Sequence, residues 1–418
     1  MIFLLFFYCA PNCYNTSRLR LKSPGSRGRE DRLLGRRPDK KGLDRELRYE
    51  GKVLAEDILG SITPARLTEP RVFPEGAGGP GEWTNILVHG DNLPVLKTLL
   101  DGKTGHADPG GVQGVRPVRL VYIDPPFSTG LGFRTRGEVH AYDDRLSGAS
   151  FIEFLRKRLV LLRDLLADDG SIYIHLDWKM AHYMKAVMDE VFGEENFLND
   201  IIWSYGGRGA KAVSRQFSRN HDIILLYRKK DHIFNPTYIE KRIPRGAGGF
   251  KQDEKGRWFK TSPRGDYTDE SIRGLEKEGR VYKTRNGGIR IKYFLREEGG
   301  FIIEEKLVGD VWDDIPDAMH IPAGEKTGYP TQKPESLLGR IIAASTNPGD
   351  TVLDCFSGSG TTLVAAEKLG RRWIGMDSGS LAIETTKKRL INIKGTRDIE
   401  DPKRKYPSQC KTFAVFET

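Results

Sequence analysis

The feature that most constrains the fold is a repeated alternation between short β-branched runs and longer runs of helical period. NILVH is followed by NLPVLKTLL, LVYI by FIEFLRKRLVLLRDLL, SIYIHL by WKMAHYMKAVMDEVFG, and TVLD by TTLVAAEKLG and then RRWIGMD. Short apolar runs bounded by turn signals read as buried strands; longer ones with apolar residues three and four apart read as helices. Parallel neighbours need a crossover connection, so this alternation predicts helices on both faces of one sheet. The expected fold is α/β: a doubly wound, mostly parallel Rossmann-like sheet. HDIILLY, close behind LNDIIWSY, reads instead as a hairpin partner.

Two of the strand ends carry unusual chemistry. In LVYIDPPFSTG, Asp124 closes an apolar strand and Pro125 and Pro126 follow it. Neither proline can donate a ladder hydrogen bond, so the chain leaves the sheet in a stiff, extended form with carbonyls free to accept. Ligands of open parallel sheets bind outside the carboxyl ends of the strands, which is where Asp124, these carbonyls and Phe127 would stand.

The second strand end is VLDCFSGSGTT, Val352 to Thr362, with Asp377 closing the next strand. Glycines let the backbone approach a ligand, the helix that follows offers unpaired amides, and an acid on the neighbouring strand suits ribose hydroxyls. A P-loop needs Lys after its last glycine, and Gly360 is followed by Thr361; a dinucleotide fingerprint needs a third small residue, and Leu363 stands there. A nucleoside cofactor without a pyrophosphate fits best.

These motifs resemble those of the amino-group DNA methyltransferases that use S-adenosylmethionine, in the permuted order where the catalytic motif precedes the cofactor motif. The matching residues are GDNL at 90 to 93, DPPF at 124 to 127, TQKP at 331 to 334 and LDCFSGSGTT at 353 to 362. SIYIHLDW and FGEENF are also similar to the modification subunits of type III restriction systems. Cys355 is a departure, since many relatives carry Pro there.

The resemblance implies a catalytic set of Asp124, Pro125, Pro126 and Phe127. It implies a cofactor set of Asp354, Phe356, Gly358, Gly360, Thr361 and Asp377, with Thr331, Gln332 and Lys333 reaching the methionine end. The cofactor implied is S-adenosylmethionine, and no metal is required. The reaction implied is methyl transfer to the N6 amine of an adenine extruded from duplex DNA. Asp at position 124 favours adenine over the cytosine N4 amine, where relatives usually carry Ser. A cytosine-N4 or RNA methyltransferase and a non-catalytic DNA-recognition subunit are the competing readings. The partners implied are double-stranded DNA, a restriction endonuclease subunit and a second copy of the chain, with no membrane.

Charge and composition shape the domain plan. The chain has 418 residues and a net charge of +10, concentrated in two segments: Arg18–Arg48 holds 12 basic against 5 acidic residues, and Gly206–Gly300 holds 23 against 12. The rest of the chain is acidic, an arrangement that suits a polyanion held at defined places. The expected plan is a basic, unstructured arm and linker over 1–81, the catalytic part over 82–228, and a basic insertion for target recognition over 229–326. The cofactor-binding part follows over 327–392 and a tail over 393–418. Within the insertion, aromatic residues from Tyr238 to Tyr293 interleave with Lys and Arg, while YGGRGAKAVSRQ, just upstream, reads as a flexible loop that approaches phosphates. His175 and Asp177, at another strand end, read either as contacts to the target base or as a strand cap. The opening MIFLLFFYCA is too short to span a bilayer and lacks a basic flank. Four cysteines without CxxC pairing argue against a zinc site or disulfide framework, so a reducing cytoplasm is expected.

Overall fold

The computed structural model describes residues 46–74, 84–103, 117–127, 131–134, 140–144, 148–205, 217–247, 249–317 and 319–418. The apolar opening, nearly all of the basic arm and all of YGGRGAKAVSRQ except Tyr205 lie outside the described residues.

Ten strands build one sheet: β1 (Arg71–Phe73), β2 (Asn85–His89), β3 (Val118–Ile123), β4 (Leu166–Leu176), β5 (Phe197–Ser204), β6 (His221–Arg228), β7 (Val311–Trp312), β8 (Thr351–Asp354), β9 (Arg372–Asp377) and β10 (Phe413–Glu417). Their order is β1-β10-β2-β9-β8-β3-β4-β6-β5-β7. Neighbours run parallel except where β1 meets β10 and where β6 meets β4 and β5, which is the hairpin that HDIILLY predicts. β8 is buried throughout and β3 nearly so, the near-continuous apolar character of a sheet covered on both faces.

Helices supply that cover. On one face α1 (Ala55–Ser61), α2 (Asn92–Lys103), α3 (Gly148–Leu165) and α4 (Ala181–Phe192) share a core with the sheet. In α3, Phe151, Leu155, Leu159 and Leu162 are fully buried at helical spacing. The other face packs beneath α6 (Glu335–Ser345), α7 (Thr361–Lys368) and α8 (Ser380–Ile391), with Trp203 and Trp373 among its buried residues. The doubly wound α/β fold is as expected.

Three stretches differ from the expected plan. Residues 46–74 are packed rather than structureless: Ile58 is fully buried and the Tyr49 hydroxyl donates to Glu153 at 2.6 Å. Their apolar residues are too sparse to make a period, so the sequence reads as linker. Residues 393–418 are not a tail, because β10 pairs along the whole of β2 and Phe413 lies 5.6 Å from the Trp373 ring. Five residues without turn signals are easily missed, yet FAVFE buries its first four. In the basic insertion, the stretch from Tyr238 to Leu307 forms a four-stranded and a three-stranded antiparallel sheet with α5 (Asp269–Lys277). The chain then rejoins the main sheet as β7, with Trp312 and Ile315 in its core.

Candidate active site

β3 and β8 are adjacent, but the chain leaves β3 toward β4 and leaves β8 toward β9, on the opposite side. Loops that diverge from neighbouring strands open a crevice at their carboxyl ends. A cavity of about 720 Å³ occupies it, within the size range of small-molecule sites. All four residues of the DPPF motif line this cavity. So do Asp354, Phe356, Gly358, Thr361 and Asp377 from the glycine loop and Thr331, Gln332 and Lys333 from the strap before α6. Gly360 lies off the wall and acts through backbone geometry, at φ +75° where a Cβ would fall 2.4 Å from the Thr386 hydroxyl.

Asp124 leaves β3 with its two oxygens in different settings. Oδ2 accepts from Lys333 Nζ at 2.6 Å, whereas Oδ1 is buried and has no hydrogen-bond partner. A buried carboxylate oxygen without a donor is costly unless something else supplies one. Phe127 stands 6.0 Å from the His175 ring, and the Lys333 ammonium lies 5.0 Å from the Phe127 centroid. His175 is fully buried between the Tyr122 hydroxyl, 2.9 Å from Nδ1, and Asp222, 3.1 Å from Nε2. Asp177 accepts from the Lys179 and Met180 amides ahead of α4, which makes it a structural cap.

Across the crevice the glycine loop is held by acids. Asp354 accepts from the Thr362 hydroxyl at 2.5 Å and from the Phe356 amide at 2.9 Å. Burial raises its carboxyl to about 7 against these two donors, and the charges of Asp124 and Asp377 add to the rise. Asp377 accepts from the Gly358 and Gly379 amides, both at 2.8 Å, while burial pushes its carboxyl upward. One carboxylate thus ties together the two turns that border the cavity.

The strap carrying Thr331 to Lys333 is braced from below. Gln332 accepts from Thr327 and donates to the Glu325 carbonyl at 2.8 Å. The Glu335 carboxylate takes Lys368 at 2.6 Å and Arg389 at 2.7 Å; Arg389 also donates to the Ser359 carbonyl, and Thr361 donates to the Lys333 carbonyl. Glu325, beside Glu335, is raised by burial and by that neighbouring charge to about 7. Thr331 has φ +58°, an unusual conformation for a threonine and one that clusters at functional sites.

Some cavity residues had no role in the sequence reading. Arg158 donates to Asp91 at 2.8 Å and to Asn92 at 2.5 Å, and Asn92 in turn donates to the Cys355 carbonyl at 2.5 Å. GDNL is therefore a brace that joins the α2 turn to the glycine loop through the backbone of the unusual Cys355. The signal for Arg158 was present, since it interrupts the apolar stripe of α3 between Leu155 and Leu162. Tyr329, which stands 3.5 Å from where a Gly358 Cβ would be, left no such trace.

The fold and site define a class: a Rossmann-like protein with a small-molecule cavity between a glycine loop and an acid held opposite it, at the switch point of the sheet. Residues 118–388 match the family model described as DNA methylase, and the chain belongs to that family. It is 36% identical to the type II methyltransferase M.EcaI of Enterobacter cloacae, covering 73% of this chain and 69% of that protein. It is 27% identical to the DNA adenine methyltransferase YhdJ of Escherichia coli, over 74% and 84% of the two chains. It is 26% identical to a protein named as the probable HindVI type III modification subunit of Haemophilus influenzae, over 76% of this chain but only 52% of that one.

Proposed function

We propose that this chain transfers a methyl group from S-adenosylmethionine to the exocyclic N6 amine of adenine in duplex DNA. The observation that carries the reading is the buried, unpartnered Oδ1 of Asp124, which lines the same cavity as the glycine loop and Asp377. The cofactor fits the donor set: two glycines at positive φ make the tight turn, and Asp377 keeps acceptor capacity after its two amide bonds. When bound, S-adenosylmethionine supplies an electrophilic methyl group on a sulfonium.

The chain's own residues do the rest. An aromatic amine is a weak nucleophile because its lone pair is shared with the ring. Hydrogen bonds from the NH2 group to Asp124 Oδ1 and to the Pro125 carbonyl draw the nitrogen toward tetrahedral geometry and aim the lone pair. Position and electrostatics then carry most of the rate. Phe127 offers a face for the extruded base, offsetting the few kcal/mol that unstacking costs. The amine nitrogen would take the methyl carbon as its bond to the sulfonium sulfur breaks, the bonding pair staying on sulfur, and would shed one proton, for which Asp124 is the adjacent acceptor.

The sheets between Tyr238 and Leu307 are read as the target-recognition face. Cations lie against exposed or half-buried aromatics there, as with Lys251 at 4.1 Å from the Tyr282 ring and Arg257 at 3.9 Å from Phe294. Adenine is favoured over cytosine by Asp124 and by the relative named as an adenine methyltransferase. Relatives named as type III restriction–modification subunits support work beside a restriction endonuclease; a cytoplasmic location and a second copy of the chain as partner are the remaining parts of the proposal.

The decisive experiment incubates the purified chain with tritiated S-adenosylmethionine and unmethylated duplex DNA, then sequences the product for N6-methyladenine. Asp124→Ala is expected to abolish transfer and keep cofactor affinity. A wild type that labels no DNA refutes the proposal, and N4-methylcytosine in the product refutes the choice of base.

A further inference from the structure

Lys333 belongs by motif to the strap at the methionine end of the cofactor site, yet its side chain points elsewhere. Its ammonium lies 2.6 Å from Asp124 Oδ2 and 5.0 Å from the centre of the Phe127 ring, so it touches both residues that would hold the target base. Its backbone is held from several sides: its carbonyl accepts from Thr361, Gln332 donates to the Glu325 carbonyl, and Glu335, two positions on, is tied to Glu325 through its amide and to Lys368 and Arg389 through its carboxylate. The lysine is a fixed cation reaching across the crevice from the cofactor side to the acceptor side.

Electrostatics give that reach a purpose. Asp124, Asp354 and Asp377 all line one cavity, and the nearby Asp222 carboxyl, which burial pushes up, is held low by His175 and then by Lys333. A buried carboxylate among others needs a counter-charge, and one oxygen held by a charge-assisted bond fixes the rotation of the group. The free oxygen then has a single orientation.

We propose that Lys333 is the positioning residue for the catalytic acid: its ammonium takes Asp124 Oδ2, so that Oδ1 alone is presented to the target amine. This inference rests on the functional reading above and departs from the motif-based assignment of Lys333 to the cofactor.

The test is single-turnover methyl transfer to duplex DNA at saturating S-adenosylmethionine, with cofactor affinity measured separately by calorimetry. Lys333→Met keeps the apolar stem and removes the charge. The saturated rate is expected to fall roughly 100-fold, the scale on which misplacement by about 1 Å is felt. Cofactor affinity and the KM for DNA should stay at wild-type values, and Lys333→Arg should recover most of the rate. A Lys333→Met protein that binds the cofactor weakly but reacts at the wild-type rate once saturated overturns the proposal, since the lysine is then a cofactor ligand. So does an arginine variant that folds, by thermal melting, and is as slow as the methionine one. Should Lys333→Met not fold, Lys333→Gln carries the same comparison. An active wild type with an unimpaired variant overturns the lysine's role alone, whereas a wild type inactive on DNA overturns the functional reading and this one together.

Discussion

Replacing Asp354 with Asn tests the electrostatics of the cavity through stability. The carboxyl is buried, hydrogen-bonded to Thr362 and Phe356, and raised from its ordinary 3.8 to about 7. The folded chain therefore holds this proton more tightly than the unfolded chain does. As pH rises from about 4 to 7 the unfolded state loses the proton first, so stability falls through that window and levels off above it. At about 1.4 kcal/mol for each pH unit, the penalty is roughly 2 kcal/mol at pH 5 and about 4 kcal/mol at pH 8. Asparagine has nearly the same shape and no charge, so Asp354→Asn carries no such pH dependence. Whatever the substitution costs in hydrogen bonding, the stability of the variant relative to wild type should improve by about 2 kcal/mol between pH 5 and pH 8. Paired thermal melts at several pH values read this as a relative gain of several degrees. A wild-type-to-variant gap that stays constant with pH refutes the reasoning. The same logic reaches function: a sulfonium favours ionised Asp354, so cofactor affinity should strengthen through pH 7 more steeply in the wild type than in the variant, which keeps the raised carboxyl of Asp377.

Further perturbations separate the parts of the site. Gly360→Ala meets a backbone at φ +75° and places a Cβ 2.4 Å from the Thr386 hydroxyl; a loss of about 2 kcal/mol and weaker cofactor binding are expected, by melting and calorimetry. Glu335→Gln leaves the buried Lys368 and the half-buried Arg389 without their shared anion and should cost roughly 3 kcal/mol in urea unfolding, which an unchanged midpoint would contradict. Lys251→Ala in the inserted sheets should leave cofactor affinity alone and weaken DNA binding, lowering the slope of log affinity against log salt by about one.

The fold was legible because its signal is periodic and local. β3 and β8 are buried on both faces and therefore read as continuous apolar runs, and α3 repeats its apolar residues with helical spacing. What escaped were elements whose stability comes from packing alone. The turn of helix around Ile58 and the strand Phe413–Glu417 are too short to show a period, and each becomes recognisable only against the surface it covers. The basic insertion carried its charge plainly, but its strands pair across turns within small sheets whose few buried residues, Phe259, Ile291, Ile302 and Ile303, set no pattern.

The site divides along the same line. Asp124, the glycine loop and Asp377 could be found because strand ends and glycines are marked in sequence, and the topology brings them to one cavity. Direction could not be found. TQKP is equally visible whether its lysine turns to the cofactor or to the acid, and only the bracing by Glu325 and Glu335, from outside the motif, decides that it reaches Asp124. Likewise GDNL is visible as a motif, but its work depends on Arg158, a helix residue whose partners lie 66 and 67 positions upstream. A motif names the residues that meet at a site; the neighbours that hold them determine which atom of each is left free. In this chain that atom is Oδ1 of Asp124, and the lysine, the strap and the two glutamates are arranged so that it has no other partner.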